Sequence, residues 1–326
     1  MVSPSFHFCW VPAGPASGAN ILAHEAGFNS LVLLYLCYAS FAMPAKCRRP
    51  RVVVLFIASL FSFPLFAFST GSSDWKSLAS GMDYTYVTAK KSSLVGDSRI
   101  FVLRIDPALW QLEAVGISNT GENAGHTARE WSQRQRFSAV INAGMFAADF
   151  KSHLGYMGSA AHVSNGKVNA YQSVAAFDPH DSQSPAFHIF DLDASGVHFQ
   201  DIQKSYASAL QNLRLIKRSG LNQWSQQNRK WSEAALGEDE KGRVLFIYSR
   251  SPFSMHDLNS ELLSAGIGIV AAQHLEGGPE AQLYLHVGSI EMEMFGSYET
   301  NFKENDSNSI AWPIPNVLGV QQRPKP

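Results

Sequence analysis

Gln273-His274-Leu275-Glu276-Gly277-Gly278-Pro279-Glu280-Ala281 is the stretch on which the reading of this chain turns. An apolar run at 266–272 precedes it and a second, 282–287, follows, so the order is strand, turn, strand. Two glycines and a proline mark a tight turn that exposes backbone groups. One histidine and two carboxylates stand around it. Alone, such a stretch reads equally well as a solvated hairpin turn. A matching feature lies upstream: the short apolar strand 137–141 ends in Asn142-Ala143-Gly144-Met145-Phe146. Polar side chains at strand ends, held by a rigid sheet and backed by glycine, are a common way to build a site.

Working outward, β-branched and aromatic runs predict strands at 84–88, 99–105, 112–117, 160–164, 174–178, 187–192, 213–216, 244–248 and 289–295. Thr127, with Glu130 at capping-box spacing, predicts a helix over 127–134. Ser254 caps a second helix over 254–265, with Leu258, Leu262 and Leu263 on its apolar face. A short helix is expected over 201–209, a hairpin-type turn at Asn165-Gly166, and a polar surface loop over 222–233. Short, irregularly spaced strands with few helices favour α+β over a regular βαβ array. The expected architecture is a single domain of short, mostly antiparallel strands forming a mixed sheet core with a few packed helices. It spans 82–298, between a flexible lead-in at 70–81 and a polar, Pro-rich tail at 299–326.

The N-terminal part is of another kind. Arg48, Arg49 and Arg51 precede an apolar run at 52–68, followed by Ser69, the layout of a secretory signal. Residues 43–69 therefore read as a signal peptide, or as a membrane anchor over 52–69 if uncleaved. Met43 is a sensible start, which makes 1–42 an upstream extension. Cys9, Cys37 and Cys47 are the three cysteines of the chain and all precede Thr70. The part after Ser69 has no disulfide, thiolate metal site or cysteine nucleophile to draw on, and can persist in an oxidising compartment. The expectation is an exported protein, periplasmic or extracellular. The chain carries a formal net charge of -1 and no basic stripe, which speaks against a nucleic-acid partner. Membrane contact is expected only through an uncleaved N-terminal segment.

Asn142, Glu276 and Asp149 are the candidate catalytic residues. Gly144, Gly277 and Gly278 are candidate backbone contacts for a ligand. Arg250, at the end of the strand 244–248, is a candidate cation, with Lys217 and Arg218 as further basic candidates. His274 and Glu276 share a face if the strand continues through Leu275. Two such residues fall short of a metal site, so no metal is expected. No P-loop, GxSxG, HExxH or dinucleotide fingerprint occurs, so no cofactor is expected either.

Val140-Ile141-Asn142-Ala143-Gly144-Met145-Phe146, with Asp149 and Gly155-Tyr156 after it, resembles the first motif of the phosphodiester glycosidase domain family. His274-Leu275-Glu276-Gly277-Gly278 resembles its second, in the right order and spacing. Asn165-Gly166-Lys167 and Ala235-Leu236-Gly237 are similar to its intervening turns. Three positions depart from the pattern. Glu276 stands where the family has aspartate, Glu280 where it usually has serine, and Trp231-Ser232-Glu233-Ala234 lacks the family's arginine. The resemblance implies a hydrolase cleaving a sugar–phosphate glycosidic bond in a glycan or envelope polymer, with Glu276 as base or nucleophile. Glu280 and His274 would border the substrate, a carbohydrate or sugar phosphate. The departures keep a second reading open: a noncatalytic carbohydrate-binding or envelope-assembly domain on the same fold.

Overall fold

The computed structural model describes residues 74–324. The expected signal, its alternative as an anchor and the upstream extension lie outside these residues. Alternation along the strands explains the architecture. In Arg99–Ile105, Phe101, Leu103 and Ile105 point one way and Ile100 and Val102 the other, and both sets are buried. A strand apolar on both faces must be covered on both.

Three sheets meet this demand. The first runs β1 (Lys76–Ala79), β2 (Met82–Thr88), β3 (Arg99–Ile105), β14 (Val244–Phe253), β13 (Trp231–Asp239), β15 (Ile269–Gly277), β11 (Arg214–Lys217), β12 (Leu221–Asn222). The second runs β7 (Val163–Asn165), β6 (Met157–Gly158), β10 (Tyr206–Asn212), β8 (Ser173–Pro179), β9 (Phe187–Asp191). The third runs β17 (Ile290–Phe295), β16 (Gln282–Val287), β5 (Ala139–Asn142), β18 (Asn316–Gln322), β4 (Trp110–Gly116). The ladders within each sheet are antiparallel.

One face of every sheet contributes to a shared core, with Phe101 and Phe246 from the first, Ala175 and Phe177 from the second, Ile141 and Leu318 from the third. The other faces carry the helices. α4 (Met255–Ser264) packs Leu258 and Leu262 on the first sheet. α2 (Ala128–Gln135) packs Trp131 on the third, and α3 (Phe199–Ser205) packs Ile202 on the second. The remaining helix, α1 (Ile117–Thr120), is a single turn after β4. Both expected caps are present: Thr127 and Glu130 form a capping box, and the Ser254 hydroxyl accepts from the Asp257 N–H. No helix among the described residues is long and apolar enough to cross a membrane. The chain is thus α+β, with antiparallel strands throughout these ladders.

Several local expectations change. The Glu276 stretch is no hairpin: β15 lies in the first sheet and β16 in the third, so the turn carries the chain between sheets. The helix expected over 201–209 ends at Ser205, and β10 begins at once, held between β8 and β6 against its alanine-rich composition. Residues 231–239 are a central strand, not a loop end and a turn. Gly237 sits there because a Cβ would meet Ile269, Ile247 and Leu245 at 3.1–3.3 Å. Asn165-Gly166 closes no hairpin, since β7 ends at Asn165 and β8 starts at Ser173. The lead-in contains β1 at 76–79, paired with β2. The tail contains β18, which pairs with both β5 and β4 in the third sheet.

That last correction is testable at Gly319, where an added Cβ would lie 2.1 Å from the buried Phe137 ring. Gly319→Ala should lower unfolding free energy by about 1–3 kcal/mol through overpacking, read as a lower denaturant midpoint. An unchanged midpoint would show that β18 is not locked into the sheet.

Candidate active site

Asn142 ends β5, and both ends of its amide are used. Its Nδ2 donates to the Glu280 carbonyl (3.0 Å) and its Oδ1 accepts from the Gln282 N–H (2.7 Å). Asn142 is buried, so each bond replaces one that water cannot supply. Gln282 extends the chain: its side chain accepts from the Ala128 N–H (2.9 Å) and donates to the Trp312 carbonyl. One asparagine therefore fixes the turn after β15, and through Gln282 the turn is joined to α2 and to Trp312. Asn142 thus positions the turn, with one N–H and one oxygen lone pair of its amide committed to it.

The glycines also serve the protein's own packing. A Cβ on Gly277 would meet the Trp231 ring at 2.7 Å, and one on Gly278 the Glu299 carboxylate at 2.8 Å. Gly278 opens a single 3-10 turn, Gly278–Glu280, at φ +66°, a backbone region that favours glycine. At Gly144 the space is taken by Asn212 Oδ1 and His153 Nε2, 2.1 and 2.3 Å from an ideal Cβ. At all three positions the space a side chain would need is taken by the protein's own groups.

A bulge at Leu275 separates His274 from Glu276. Opposite them on β13, Ala235 pairs with His274 and Ala234 with Glu276, so two steps on β15 match one on β13. Ala235 faces α4 and Ala234 the shared core, and cross-strand partners share a face. The expected common face of His274 and Glu276 is therefore lost. His274 Nδ1 instead meets Glu233 Oε1 at 2.6 Å, and Trp231 Nε1 donates to Glu233 Oε2 at 2.6 Å. This buried triad supports β15 beneath the turn.

Glu276 and Glu280 define the electrostatics. Burial raises Glu276 well above the ordinary carboxylate range, and the Glu280, Glu299 and Glu233 carboxylates add to the rise. The Gly277 N–H, 3.1 Å from Glu276 Oε1, opposes it. Burial raises Glu280 from 4.5 to about 7, with Glu299 contributing. Like charges near a desolvated carboxyl disfavour ionisation, so the pair retains protons near neutrality. No group of three or more His, Cys, Asp or Glu that could hold a metal occurs among the described residues.

Glu280 borders a cleft of about 350 Å³, together with Asp149, Phe150, Lys151 and Trp312. Asp149 is an ionised loop acid. Its carboxylate accepts from the Ser152 hydroxyl and from the N–H groups of Ser152 and Lys151, which hold it below its ordinary value. The structure thus brings Asn142, Glu276, Glu280 and Asp149 to one region. It does not bring Arg250, whose guanidinium is taken up by Asp306 (2.6 Å) and the carbonyls of Phe295 and Asn308. Lys217 is paired with Asp193, and Arg218 with Glu238.

Trp312, Lys151 and Glu233 were not picked out by the sequence motifs. Trp312 follows polar residues in what reads as a tail, and its Trp312-Pro313 step is the one signal that a rigid aromatic wall stands there.

A family model described as phosphodiester glycosidase matches residues 135–321. Among solved structures, the chain resembles the catalytic domain of zebrafish N-acetylglucosamine-1-phosphodiester alpha-N-acetylglucosaminidase, auto-inhibited by its pro-peptide. The TM-score is 0.54 at 13% identity, covering 76% of this chain and 86% of that one. A hypothetical protein from Synechocystis is similar at TM-score 0.51 and 13% identity, over 77% of this chain and 64% of that one. Both likenesses concern the fold. No curated protein sequence matches significantly.

Two outcomes follow. Asn142→Ala leaves a buried carbonyl and N–H unpaired and should cost about 2–4 kcal/mol in denaturant unfolding; a loss below about 0.5 kcal/mol would contradict the role given to Asn142. Glu280 is raised on folding, so its contribution is complete below its unfolded value and is lost as pH rises through about 7. Glu280→Gln should therefore gain roughly 1–3 kcal/mol over the parent between about pH 5 and pH 8. A difference that stays constant with pH would contradict it.

Proposed function

Because the chain belongs to the phosphodiester glycosidase family, we propose that it hydrolyses the bond between a sugar's anomeric carbon and a phosphate ester, with Glu276 and Glu280 as the working carboxyl pair. The observation that carries this reading is two interacting carboxyls of raised pKa, Glu276 and Glu280, at a turn held by Asn142, of which Glu280 borders the cleft. Glycoside hydrolysis runs on two carboxyl groups whose surroundings push their proton affinities apart.

Burial favours the protonated form of Glu276, and Glu280 titrates near neutrality, so we assign the role of base or nucleophile to Glu280 in place of Glu276. A phosphate leaving group needs little protonation. The proton on Glu276 has a second effect: it removes one negative charge facing an anionic diester. Lys151 supplies a cation at the cleft, and Lys303 lies 5.8 Å from the centre of the Trp312 ring. Trp312 offers an aromatic face to the sugar ring.

The substrate class is a carbohydrate carrying a phosphodiester. The zebrafish neighbour's name points to N-acetylglucosamine-1-phosphodiester as the first compound to try. Export is part of the proposal, supported by the signal-like residues 43–69 and the absence of cysteine after them.

The test is release of N-acetylglucosamine from its methyl 1-phosphodiester. Glu280→Gln should lower kcat at least about 100-fold, as loss of a general base does, Glu276→Gln, which keeps a neutral group at that position, should cost far less, and Trp312→Ala should mainly raise KM. Turnover within about threefold of the parent in Glu280→Gln would remove Glu280 from the chemistry. Binding of the diester with no turnover by the parent would instead favour a noncatalytic carbohydrate-binding domain.

A further inference from the structure

The hairpin tip over 147–152 borders the cleft at Glu280 and supplies three of its lining residues, Asp149, Phe150 and Lys151. Exposed loop tips are ordinarily the loosest parts of a fold. This one is tied throughout. Phe146 and His153 form a bridge at its base, and the Leu154 N–H donates to the Met145 carbonyl (2.9 Å). Within the tip, the Ala147 N–H donates to the Ser152 carbonyl (2.8 Å) and the Phe150 N–H to the Ala147 carbonyl (2.9 Å). Asp149 closes it. Its Oδ1 accepts from the N–H groups of Lys151 and Ser152 (2.9 Å each), and its Oδ2 from the Ser152 hydroxyl (2.6 Å).

The tip is also strained. Phe150 sits at φ +54°, a region that a bulky side chain rarely adopts. Such a conformation persists only where surrounding bonds over-determine it. Here the Ala147 carbonyl holds the Phe150 N–H, and the Asp149 carboxylate holds the two residues that follow.

What this rigid tip carries into the cleft is a cation. Among the described residues that line the cleft, Lys151 alone bears positive charge. It is exposed, and its ammonium forms no ion pair among the described residues. Other basic side chains are committed: Arg250 to Asp306, Lys217 to Asp193, and Arg218 to Glu238. Lys303, beside Trp312, donates to Asn308 Oδ1 (3.4 Å). An anionic ester in the cleft therefore meets one uncommitted ammonium, on a backbone set by Asp149. Asp149 itself is ill suited to proton transfer. The Ser152 hydroxyl, then the N–H groups of Ser152 and Lys151, hold it below its ordinary value, so it stays ionised with its oxygens turned to the tip.

We propose that the tip 147–152 is the element that recognises the phosphate: Lys151 is its charge contact, and Asp149 is a positioning residue that fixes the Lys151 backbone and takes no part in proton transfer. This rests on the reading of the cleft as a phosphodiester site, and it adds how that site holds the charged end of the ester.

The test reads binding without turnover, by titration calorimetry on the purified protein carrying Glu280→Gln. The probe is the methyl 1-phosphodiester of N-acetylglucosamine. Adding Lys151→Ala should weaken it at least about tenfold and remove most of its salt dependence, whereas Lys151→Arg should stay within about threefold. Asp149→Ala should reproduce the loss. Asp149→Asn keeps an oxygen for the two N–H groups and should recover affinity to within about threefold. The proposal is overturned by unchanged affinity in Lys151→Ala or Asp149→Ala, by a Lys151→Ala loss that Lys151→Arg does not recover, or by Asp149→Asn being as damaging as Asp149→Ala. Absence of diester binding to the Glu280→Gln protein overturns it as well. The catalytic reading stands or falls separately. Turnover by the parent, with KM unchanged in Lys151→Ala, rejects this contact and leaves that reading intact. A diester held through Lys151 but not turned over by the parent rejects that reading and leaves this contact standing.

Discussion

Two hydrogen bonds of the Asn142 side chain hold together the turn on which the raised carboxyls Glu276 and Glu280 sit. β15 and β16 belong to different sheets, so the residues between them must cross from one sheet to the other. A crossing of this kind leaves backbone groups without ladder partners, and buried ones must be satisfied elsewhere. Asn142 meets two of them, at Glu280 and Gln282. Gln282 then reaches Ala128 and Trp312. The placement of Glu280, and of the aromatic wall near it, follows from that one side chain at the end of a central strand.

The same crossing concentrates charge. Glu233, Glu280 and Glu299 all bear on Glu276, and Glu299 bears on Glu280, yet Glu233 and Glu276 are met very differently. Glu233 has His274 and the Trp231 N–H at 2.6 Å each, an arrangement that fixes it as a structural member. Glu276 has the N–H of its neighbour Gly277, a far weaker answer to burial. The outcome is a pair of carboxyls held away from their ordinary ionisation. Pairs of this kind occur where a protein moves protons more often than where it only folds.

The strands of the core were legible because alternation and burial agree. Phe101, Leu103 and Ile105 on β3, or Val244 and Phe246 on β14, read as one face at a glance. β13 was not legible, because Glu233, Glu238 and Asp239 look like loop residues. Their burial is made tolerable by His274, by Arg218 and His188, which come from elsewhere in the chain, and by Arg243 in the turn after β13. β18 was hidden by the prolines at 313 and 315 and by its distance in sequence from β5 and β4. At the site, Asn142 and Glu276 stood out because each ends a strand before a glycine. What they do was not legible. Asn142 binds backbone that only the fold brings near, a bulge at Leu275 turns His274 away from Glu276, and Asp306 takes up Arg250 from 56 residues downstream.

Glu276 and Glu280 form no ion pair among the described residues, and burial makes this carboxyl couple retain a proton near neutrality. Its most direct measurement is a carboxyl-carbon NMR titration of glutamate-labelled protein, assigned by the loss of signals in Glu280→Gln and Glu276→Gln. One glutamate, Glu280, should titrate near 7 and a second, Glu276, above the ordinary carboxylate range. Both resonances titrating at or below about 5, in the range of exposed glutamates, would contradict it.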